Sequence, residues 1–148
     1  MIKAISFNVN SIRQRIHQLE ALIEKHQPDF IGLQETKVTD EDFPIETIEN
    51  LGYHVTFLGQ KTHYGVAQKR FVAGRFKSPF GGEIAVLNGY FPQGESQDHP
   101  TKFPNKAKYY EDLQTYLESN FTPDDQVIVM GDMNIAPEDI DIGIGEDN

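Results

Sequence analysis

Short apolar runs alternate with amphipathic stretches along this chain, and the alternation predicts a domain of the mixed α/β class. Residues 2–7 and 29–33 are strand-like. Between them apolar residues recur at helical spacing, and Pro28 ends the pattern. The apolar stripe of this helix consists of Ile12, Ile16, Leu19, Leu22 and Ile23. A strand, a helix and a strand within this length predict a βαβ unit, in which the two strands are parallel.

Boundary signals place the predicted helices. Ser11 and Gln14 have the spacing of a capping box, so we expect the first helix to begin there. Gly52 is placed to end a short helix over residues 45–51. Pro104 suits the first turn of a later helix. The predicted buried stripe of that helix is Ala107, Tyr110, Leu113 and Leu117.

Further apolar runs predict more strands. Residues 53–58 are expected to form one of them, and residues 70–76 and 83–87 to form a hairpin. Residues 126–130 form a short run that is rich in β-branched side chains and typical of a buried strand. We expect this strand to stop at Gly131, because glycine is a common turn residue.

Oxygen-bearing side chains follow the ends of the predicted strands. They are Asn8, Asn10, Glu35, Tyr90, Asp132 and Asn134. Carboxylate and amide oxygens, in a chain without cysteine, favour Mg²⁺ or Mn²⁺ over zinc. Asp132 could position or deprotonate a water, and Tyr90 could offer its hydroxyl to a phosphate oxygen. The spacing therefore predicts a metal-dependent phosphoesterase. The alternative is structural, since Asn8 and Asn10 could only begin a turn and cap the helix, and residues 131–134 could form only a turn.

Composition narrows the class of protein. The 148 residues suit one domain, and the absence of cysteine excludes disulfides and thiolate metal sites. A net charge of −10 argues against a protein that coats nucleic acid non-specifically, but it is compatible with an enzyme that meets nucleic acid through a bound cation. The absence of cysteine favours a cytoplasmic location. No apolar run is long enough for a bilayer and no signal peptide is evident, so we expect no membrane contact.

Four motifs resemble the exonuclease III family of apurinic/apyrimidinic (AP) endonucleases. The most specific is Pro28-Asp29-Phe30-Ile31-Gly32-Leu33-Gln34-Glu35-Thr36-Lys37. The others lie at residues 6–10, 89–94 and 131–134, and residues 63–67 and 88–148 are also similar. The resemblance implies a four-layer α/β sandwich of the deoxyribonuclease I type. It also implies divalent-metal-dependent hydrolysis of double-stranded DNA, as a 3′→5′ exodeoxyribonuclease at 3′ ends and as an endonuclease at abasic sites, in DNA repair.

The resemblance also implies roles for individual residues. Glu35 resembles the principal ligand of Mg²⁺ or Mn²⁺. The other implied ligands are Asn8, Asp132 and Asn134, with Asn10 nearby. Tyr90 corresponds to a tyrosine that contacts phosphate, Asp132 to the aspartate that handles a proton, and Asn134 to the partner that stabilises the transition state. Two further residues, Arg13 and Gln93, correspond to contacts with the DNA backbone, which position a duplex without reading its bases.

The chain departs from the family pattern in two ways. Residues 1–148 are expected to be an incomplete domain without the C-terminal half, which in the family carries an Asp-His pair; a deletion is expected after Ala67. Gln97-Asp98-His99 is no substitute for that pair, because it corresponds to a different loop. The alternative is therefore an inactive half-domain, and such a fragment of a typically monomeric family could self-associate through its open surfaces. A lipid or inositol phosphatase of the same fold is the third hypothesis.

Overall fold

The structure, a computed structural model, describes residues 1–57 and 70–136. Leu58, the deletion predicted after Ala67 and residues 137–148 lie outside the described residues. Within the described ranges, no helix is both long enough and apolar enough to cross a membrane.

The first sheet is the predicted βαβ unit. Strands β1 (Ala4–Asn8) and β2 (Phe30–Gln34) are parallel, and helix α1 (Ile12–His26) connects them. The buried residues Ile12 and Leu19 of α1 pack against one face of this sheet. Because side chains alternate along a strand, the other face is left for a second layer.

Ser11 is the residue immediately before helix α1, as expected, but the predicted capping box is wrong. Ser11 has φ 91° and makes no side-chain hydrogen bond to the helix. Its backbone N–H donates to the carbonyl of Glu35 at 2.8 Å, and the N–H of Ile12 donates to the carbonyl of Thr36 at 3.0 Å. In a capping box the Gln14 side chain would accept from the Ser11 N–H, but the loop after β2 takes that donor and also satisfies the first N–H of the helix. These bonds tie the start of α1 to the end of β2.

The predicted strand at residues 53–58 is also wrong over the part that is described. Residues 53–57 alternate between half-buried and exposed side chains, as a strand would, but they are irregular. No described strand pairs with them, and a strand requires a backbone partner as well as alternation. The short helix α2 (Ile45–Glu49) precedes them, and Gly52, just after it, adopts φ 90°.

The second sheet has three strands. Strands β3 (Phe71–Lys77) and β4 (Glu83–Tyr90) form the predicted antiparallel hairpin, and β5 (Gln126–Asp132) pairs with β4 in parallel. Helix α3 (Lys102–Asn120) connects β4 to β5, and its Tyr116 packs against Phe71 of β3 on the outer face of this sheet, with ring centroids 6.0 Å apart. The ring of Phe91 lies 5.2 Å from the ring centroids of both Tyr109 and Tyr110 of that helix.

The buried stripe of α3 differs from the predicted one at its first position. Ala107 is exposed, whereas Lys106 is half-buried, as are Tyr110, Leu113 and Leu117. The reason is that Lys106 lies one turn before Tyr110 on the inward face, with its ammonium group on the carbonyl of Asn134. A lysine can follow an apolar stripe in this way because its stem is aliphatic.

Strand β5 does not stop at Gly131 as predicted. It continues to Asp132, with Gly131 paired with Gly89 and Asp132 paired with Tyr90. A Cβ atom on Gly131 would lie 2.0 Å from the carbonyl oxygen of Gly89. This glycine therefore allows two backbones to approach closely rather than ending the strand.

The two sheets face each other, with α1 and α3 on the outside. At their interface a Cβ atom on Gly32 would lie 2.5 Å from Asn88 Oδ1 and 2.8 Å from Met130 Cε. The helix–sheet–sheet–helix order gives the four layers that the sequence analysis predicted. The ends of β1, β2, β4 and β5 meet at one edge of this sandwich.

Candidate functional site

Four strand ends bring polar side chains from both sheets together. Asn8 ends β1, Glu35 follows β2, Tyr90 ends β4 and Asp132 ends β5. Asn8 Nδ2 donates to Glu35 Oε1 at 2.9 Å and to Asp132 Oδ2 at 3.0 Å. Two carboxylates, one from each sheet, therefore share a single donor.

Glu35 is held as a carboxylate. Burial raises its pKa, but hydrogen bonds from Asn8, Tyr90 and Lys37, together with the charge of Lys37, outweigh burial and lower the pKa below its usual value of 4.5. Lys37 Nζ lies 3.3 Å from Glu35 Oε2 and also donates to Asn10 Oδ1. Glu35 is therefore ionised at neutral pH with hydrogen-bond donors around it.

Tyr90 is held as a neutral phenol. Burial, the hydrogen bond to Glu35 and the charges of Glu35 and Asp132 raise its pKa to about 12, against the opposing charge of Arg70. The guanidinium carbon of Arg70 lies 5.1 Å from the Tyr90 ring centroid, and Arg70 donates to the Tyr90 carbonyl oxygen at 3.2 Å. At neutral pH Tyr90 is thus a hydrogen-bond donor. Sequence reasoning missed Arg70, because no local pattern separates it from a surface arginine.

Asp132 and Asn134 form a short hydrogen-bonded loop after β5. The backbone N–H of Asn134 donates to Asp132 Oδ1 at 3.1 Å. Asn134 Nδ2 donates to the carbonyl of Phe91 at 2.7 Å, so the loop after β5 is fastened to the loop after β4. Asn134 has φ 50°, a left-handed conformation that asparagine tolerates better than most residues.

Two side chains of helix α3 donate hydrogen bonds to the backbone of this loop. Lys106 Nζ donates to the Asn134 carbonyl at 2.5 Å, and the Tyr110 hydroxyl donates to the Met133 carbonyl at 2.9 Å. The sequence pattern placed Tyr110 in a buried stripe without a polar role and did not single out Lys106. Lys106 and Tyr110 are four residues apart, and this spacing indicates that they share one face of the helix. It does not indicate which groups their ammonium and hydroxyl contact.

The remaining predicted site residues lie outside this constellation or at its rim. The Arg13 guanidinium lies 2.8 Å from Asp42 Oδ1, and both side chains are largely exposed. Gln93 is exposed in the loop after β4. Asn10 is at the rim, where its N–H donates to Asn8 Oδ1 at 3.1 Å. The structure therefore brings together five of the predicted residues, namely Asn8, Glu35, Tyr90, Asp132 and Asn134.

His99 has a structural role at the start of α3. Its Nδ1 accepts hydrogen bonds from the backbone N–H groups of Thr101 and Lys102, at 3.2 and 3.0 Å. Its Nε2 lies 3.2 Å from Glu95 Oε2. The imidazole therefore caps the start of α3.

The carboxylate and amide oxygens at the strand ends are suitable ligands for a hard divalent cation. Among the described residues no group of three or more His, Cys, Asp or Glu side chains could hold a metal. Mg²⁺ commonly uses only one or two carboxylates and keeps several waters, so the pair of Glu35 and Asp132 is sufficient. Asn8 turns its amide nitrogen to both carboxylates, while its oxygen accepts from Asn10. In this arrangement Asn8 orients the carboxylates, and the amide has to rotate before its oxygen could be a ligand.

Comparison with known proteins decides the family. The model of the endonuclease/exonuclease/phosphatase family matches residues 5–148. The chain belongs to this family. An exodeoxyribonuclease III from Haemophilus influenzae is 53% identical over an alignment of 168 residues that covers 99% of this chain and 62% of the relative. The alignment is longer than the chain, in keeping with a deletion, although its position stays a prediction.

Two solved structures show the same endonuclease/exonuclease/phosphatase fold. An AP endonuclease from Archaeoglobus fulgidus superposes with a TM-score of 0.78 at 33% identity, over 95% of this chain and 60% of that one. A 3′ phosphatase from Neisseria, bound to a product DNA hairpin, superposes with a TM-score of 0.76 at 28% identity, over 93% of this chain and 59% of that one. The chain thus spans about three fifths of the length of these relatives.

Proposed function

We propose that this chain carries the site of a divalent-metal-dependent DNA phosphodiesterase. The proposed activities are 3′→5′ exodeoxyribonuclease and AP endonuclease on double-stranded DNA. The observation that carries the proposal is the shared donor: Asn8 joins Glu35 and Asp132 across the two sheets. The names of the relatives support the substrate class, since they are an exodeoxyribonuclease, an AP endonuclease and a phosphatase bound to DNA.

Glu35 and Asp132 are the residues that would hold Mg²⁺ or Mn²⁺, with Asn134 and a rotated Asn8 as further proposed ligands. When bound, the cation supplies positive charge to a phosphoryl oxygen and stabilises the charge that develops there on hydrolysis. Lys37 Nζ lies 3.3 Å from Glu35 Oε2, so it limits the directions from which a cation could approach this carboxylate.

A cytoplasmic location stays a prediction, as do the monomeric state of the family and self-association of this chain.

The other roles follow from charge and hydrogen bonding. Tyr90, whose pKa is raised to about 12, keeps its phenolic hydrogen at neutral pH and in this structure donates it to Glu35. A phosphate oxygen would take that hydrogen bond in place of Glu35. Asp132 accepts from Asn8 and from the backbone of Asn134, so its carboxylate is oriented to hold or pass a proton at a water or leaving oxygen. Arg13 and Gln93, both exposed, are proposed contacts to the DNA backbone.

The test is incision of a duplex that carries one abasic site, by the purified chain with and without Mg²⁺. We expect metal-dependent incision that falls at least about a hundredfold in Glu35→Gln, which keeps the shape of the side chain and removes its charge. Asp112→Asn is the matched control, because Asp112 is an exposed carboxylate on α3 that pairs with Lys108. This control should cleave as the parent chain does.

Three outcomes would count against the proposal. Absence of incision by a chain that is folded by circular dichroism would support the alternative, an inactive half-domain. Faster release of phosphate from an inositol phosphate than incision of abasic DNA would instead favour a phosphatase of the same fold. An equal loss of incision in Asp112→Asn would mean that the carboxylates at the strand ends have no special role.

A further inference from the structure

Two amide side chains, one from each sheet, are hydrogen-bonded to each other next to the site. Gln34 is only 3% exposed, at the end of β2. Its Nε2 donates to Asn88 Oδ1 of β4 at 2.6 Å. In return, Asn88 Nδ2 donates to the carbonyl of Leu33 at 3.0 Å. We call Gln34 and Asn88 the amide pair.

The interface is shaped around the amide pair. Gly32 leaves the space that Asn88 occupies, since a Cβ atom there would lie 2.5 Å from Asn88 Oδ1. The other polar atoms of Gln34 are satisfied as well: Nε2 also donates to the Gly32 carbonyl at 3.0 Å, and Oε1 accepts from the Ser6 hydroxyl at 3.4 Å. A buried polar group with every partner in place specifies one arrangement of its neighbours, because hydrogen bonds are directional.

The amide pair lies directly next to the residues of the site. Gln34 immediately precedes Glu35 on the first sheet. Asn88 lies two residues before Tyr90, so both side chains leave β4 on the face that meets the first sheet. Tyr90 is in turn paired with Asp132 of β5. The relative offset of Gln34 and Asn88 therefore sets the offset of the two carboxylates.

Apolar contact alone would not fix that offset. Packing is non-directional, and facing sheets can slide by small amounts with little change in buried area. Asn8, however, belongs to β1 of the first sheet, so its 2.9 Å hydrogen bond to Glu35 stays within that sheet, whereas its 3.0 Å hydrogen bond to Asp132 crosses to the second sheet and depends on the offset. An additional polar link near the site is the kind of contact that would hold it.

We propose that Gln34 and Asn88 are positioning residues, which hold the two sheets at the offset that lets Asn8 bind Glu35 and Asp132 together. The consequence for catalysis rests on the proposed function, but the geometric effect does not. Loss of either amide should loosen the hydrogen bond from Asn8 to Asp132, while the fold, which the apolar interface and both helices stabilise, should remain.

The test observes the side-chain amide of Asn8 by ¹H–¹⁵N NMR in the full chain, with its signal assigned from Asn8→Asp. In Asn88→Leu and in Gln34→Leu we expect the Asn8 amide protons to exchange with water at least about tenfold faster. Ser78→Ala is the matched control. Ser78 donates to Gln126 at the opposite end of the second sheet, so its loss should lower the unfolding midpoint and leave the Asn8 signal unchanged.

The double variant, with leucine at both positions, separates positioning from general weakening. If the two amides act as one unit, exchange at Asn8 in the double variant should equal that in the more affected single variant. Three results would each overturn the proposal. They are an unchanged exchange rate of the Asn8 amide in either single variant, a rate in the double variant that is the product of the two single effects, and an equal change of the rate in Ser78→Ala.

Titration with Mn²⁺, followed by the electron paramagnetic resonance of the free ion, relates this geometry to the proposed function. We expect weaker Mn²⁺ binding in both single variants than in the parent and Ser78→Ala chains. If the Asn8 signal responds as expected but no chain binds Mn²⁺, the positioning role stands and the proposed function fails. If the parent chain binds Mn²⁺ and the Asn8 signal does not respond, the proposed function stands and the positioning role fails.

Discussion

Replacing Gly131 by alanine should be one of the most damaging single-methyl changes in this chain. A Cβ atom at this position would lie 2.0 Å from the Gly89 carbonyl oxygen, and 2.8 and 2.9 Å from the carbon and nitrogen of the same residue. All three atoms belong to the backbone of β4, so no side chain can turn away to make room. The only relief is separation of β4 from β5.

The cost has two parts. Gly131 has φ 150°, a conformation that L side chains rarely adopt, and this strain costs about 1–2 kcal/mol. Moving the strands apart weakens about two ladder hydrogen bonds, at about 1 kcal/mol each. We therefore expect Gly131→Ala to reduce the free energy of unfolding by about 3–4 kcal/mol, which is large against a typical total of about 5–15 kcal/mol.

Gly81→Ala is the matched control, because Gly81 has φ 95° but nothing lies within 4 Å of a Cβ atom there. It should lose only the strain, about 1–2 kcal/mol. Both variants are to be unfolded in urea and followed by circular dichroism. An equal loss in the two variants would refute the steric argument.

The remaining predictions concern the hydroxyls of α3 and the charge of Glu35. The buried hydroxyl of Tyr109 has no partner in the described structure, so Tyr109→Phe should leave the free energy of unfolding unchanged or raise it, whereas Tyr110→Phe should lower it by about 1 kcal/mol through loss of the bond to Met133. Urea unfolding of the pair checks this, and the reverse order would contradict it. The folded pKa of Glu35 is lowered, so its contribution to stability is present above the unfolded value of 4.5 and is lost as pH falls through the folded value. The stability difference between the parent chain and Glu35→Gln, measured by urea unfolding at several pH values, should therefore shrink below about pH 4.5, and a constant difference would contradict the lowered pKa.

Much of the fold could be predicted from the sequence where the pattern is local. The spacing of Ile12 and Leu19 predicted α1, and the apolar runs on either side predicted parallel β1 and β2, which the structure confirms. The hairpin of β3 and β4 was predicted in the same way. These elements are correct because one buried face dictates one periodicity.

The errors occur where a partner distant in sequence decides the outcome. Ser11 has the sequence of a capping residue, yet Glu35 and Thr36 supply the acceptors at the start of α1. Residues 53–57 have the alternation of a strand without a described strand beside them. Gly131 has the sequence of a turn residue, but its neighbour on β4 explains the glycine. None of these partners is visible in the local sequence.

For the candidate site, too, the sequence predicted what depends on local pattern and missed what depends on a partner distant in sequence. The sequence predicted that Asn8, Glu35 and Asp132 follow strand ends, because polar residues after apolar runs can be recognised locally. It did not predict that one amide nitrogen would join both carboxylates, or that Gln34 and Asn88 would meet between the sheets. In the sequence, a strand amide side chain that is buried between sheets cannot be distinguished from one that faces solvent.

Backbone strain at this edge supports a functional reason for its geometry. Five non-glycine residues of the site and its rim have positive φ, namely Asn10, Ser11, Glu35, Lys37 and Asn134. Each such conformation costs about 1 kcal/mol or more, and a fold optimised only for stability would place glycine there. Glu35 in this conformation accepts a backbone hydrogen bond from Ser11 at 2.8 Å and a side-chain one from Asn8 at 2.9 Å. The strain therefore persists because contacts from the start of α1 and from β1 determine where the carboxylate lies. Glycine at position 35 would relieve the strain, but it would also remove the carboxylate that accepts the hydrogen bond from Asn8.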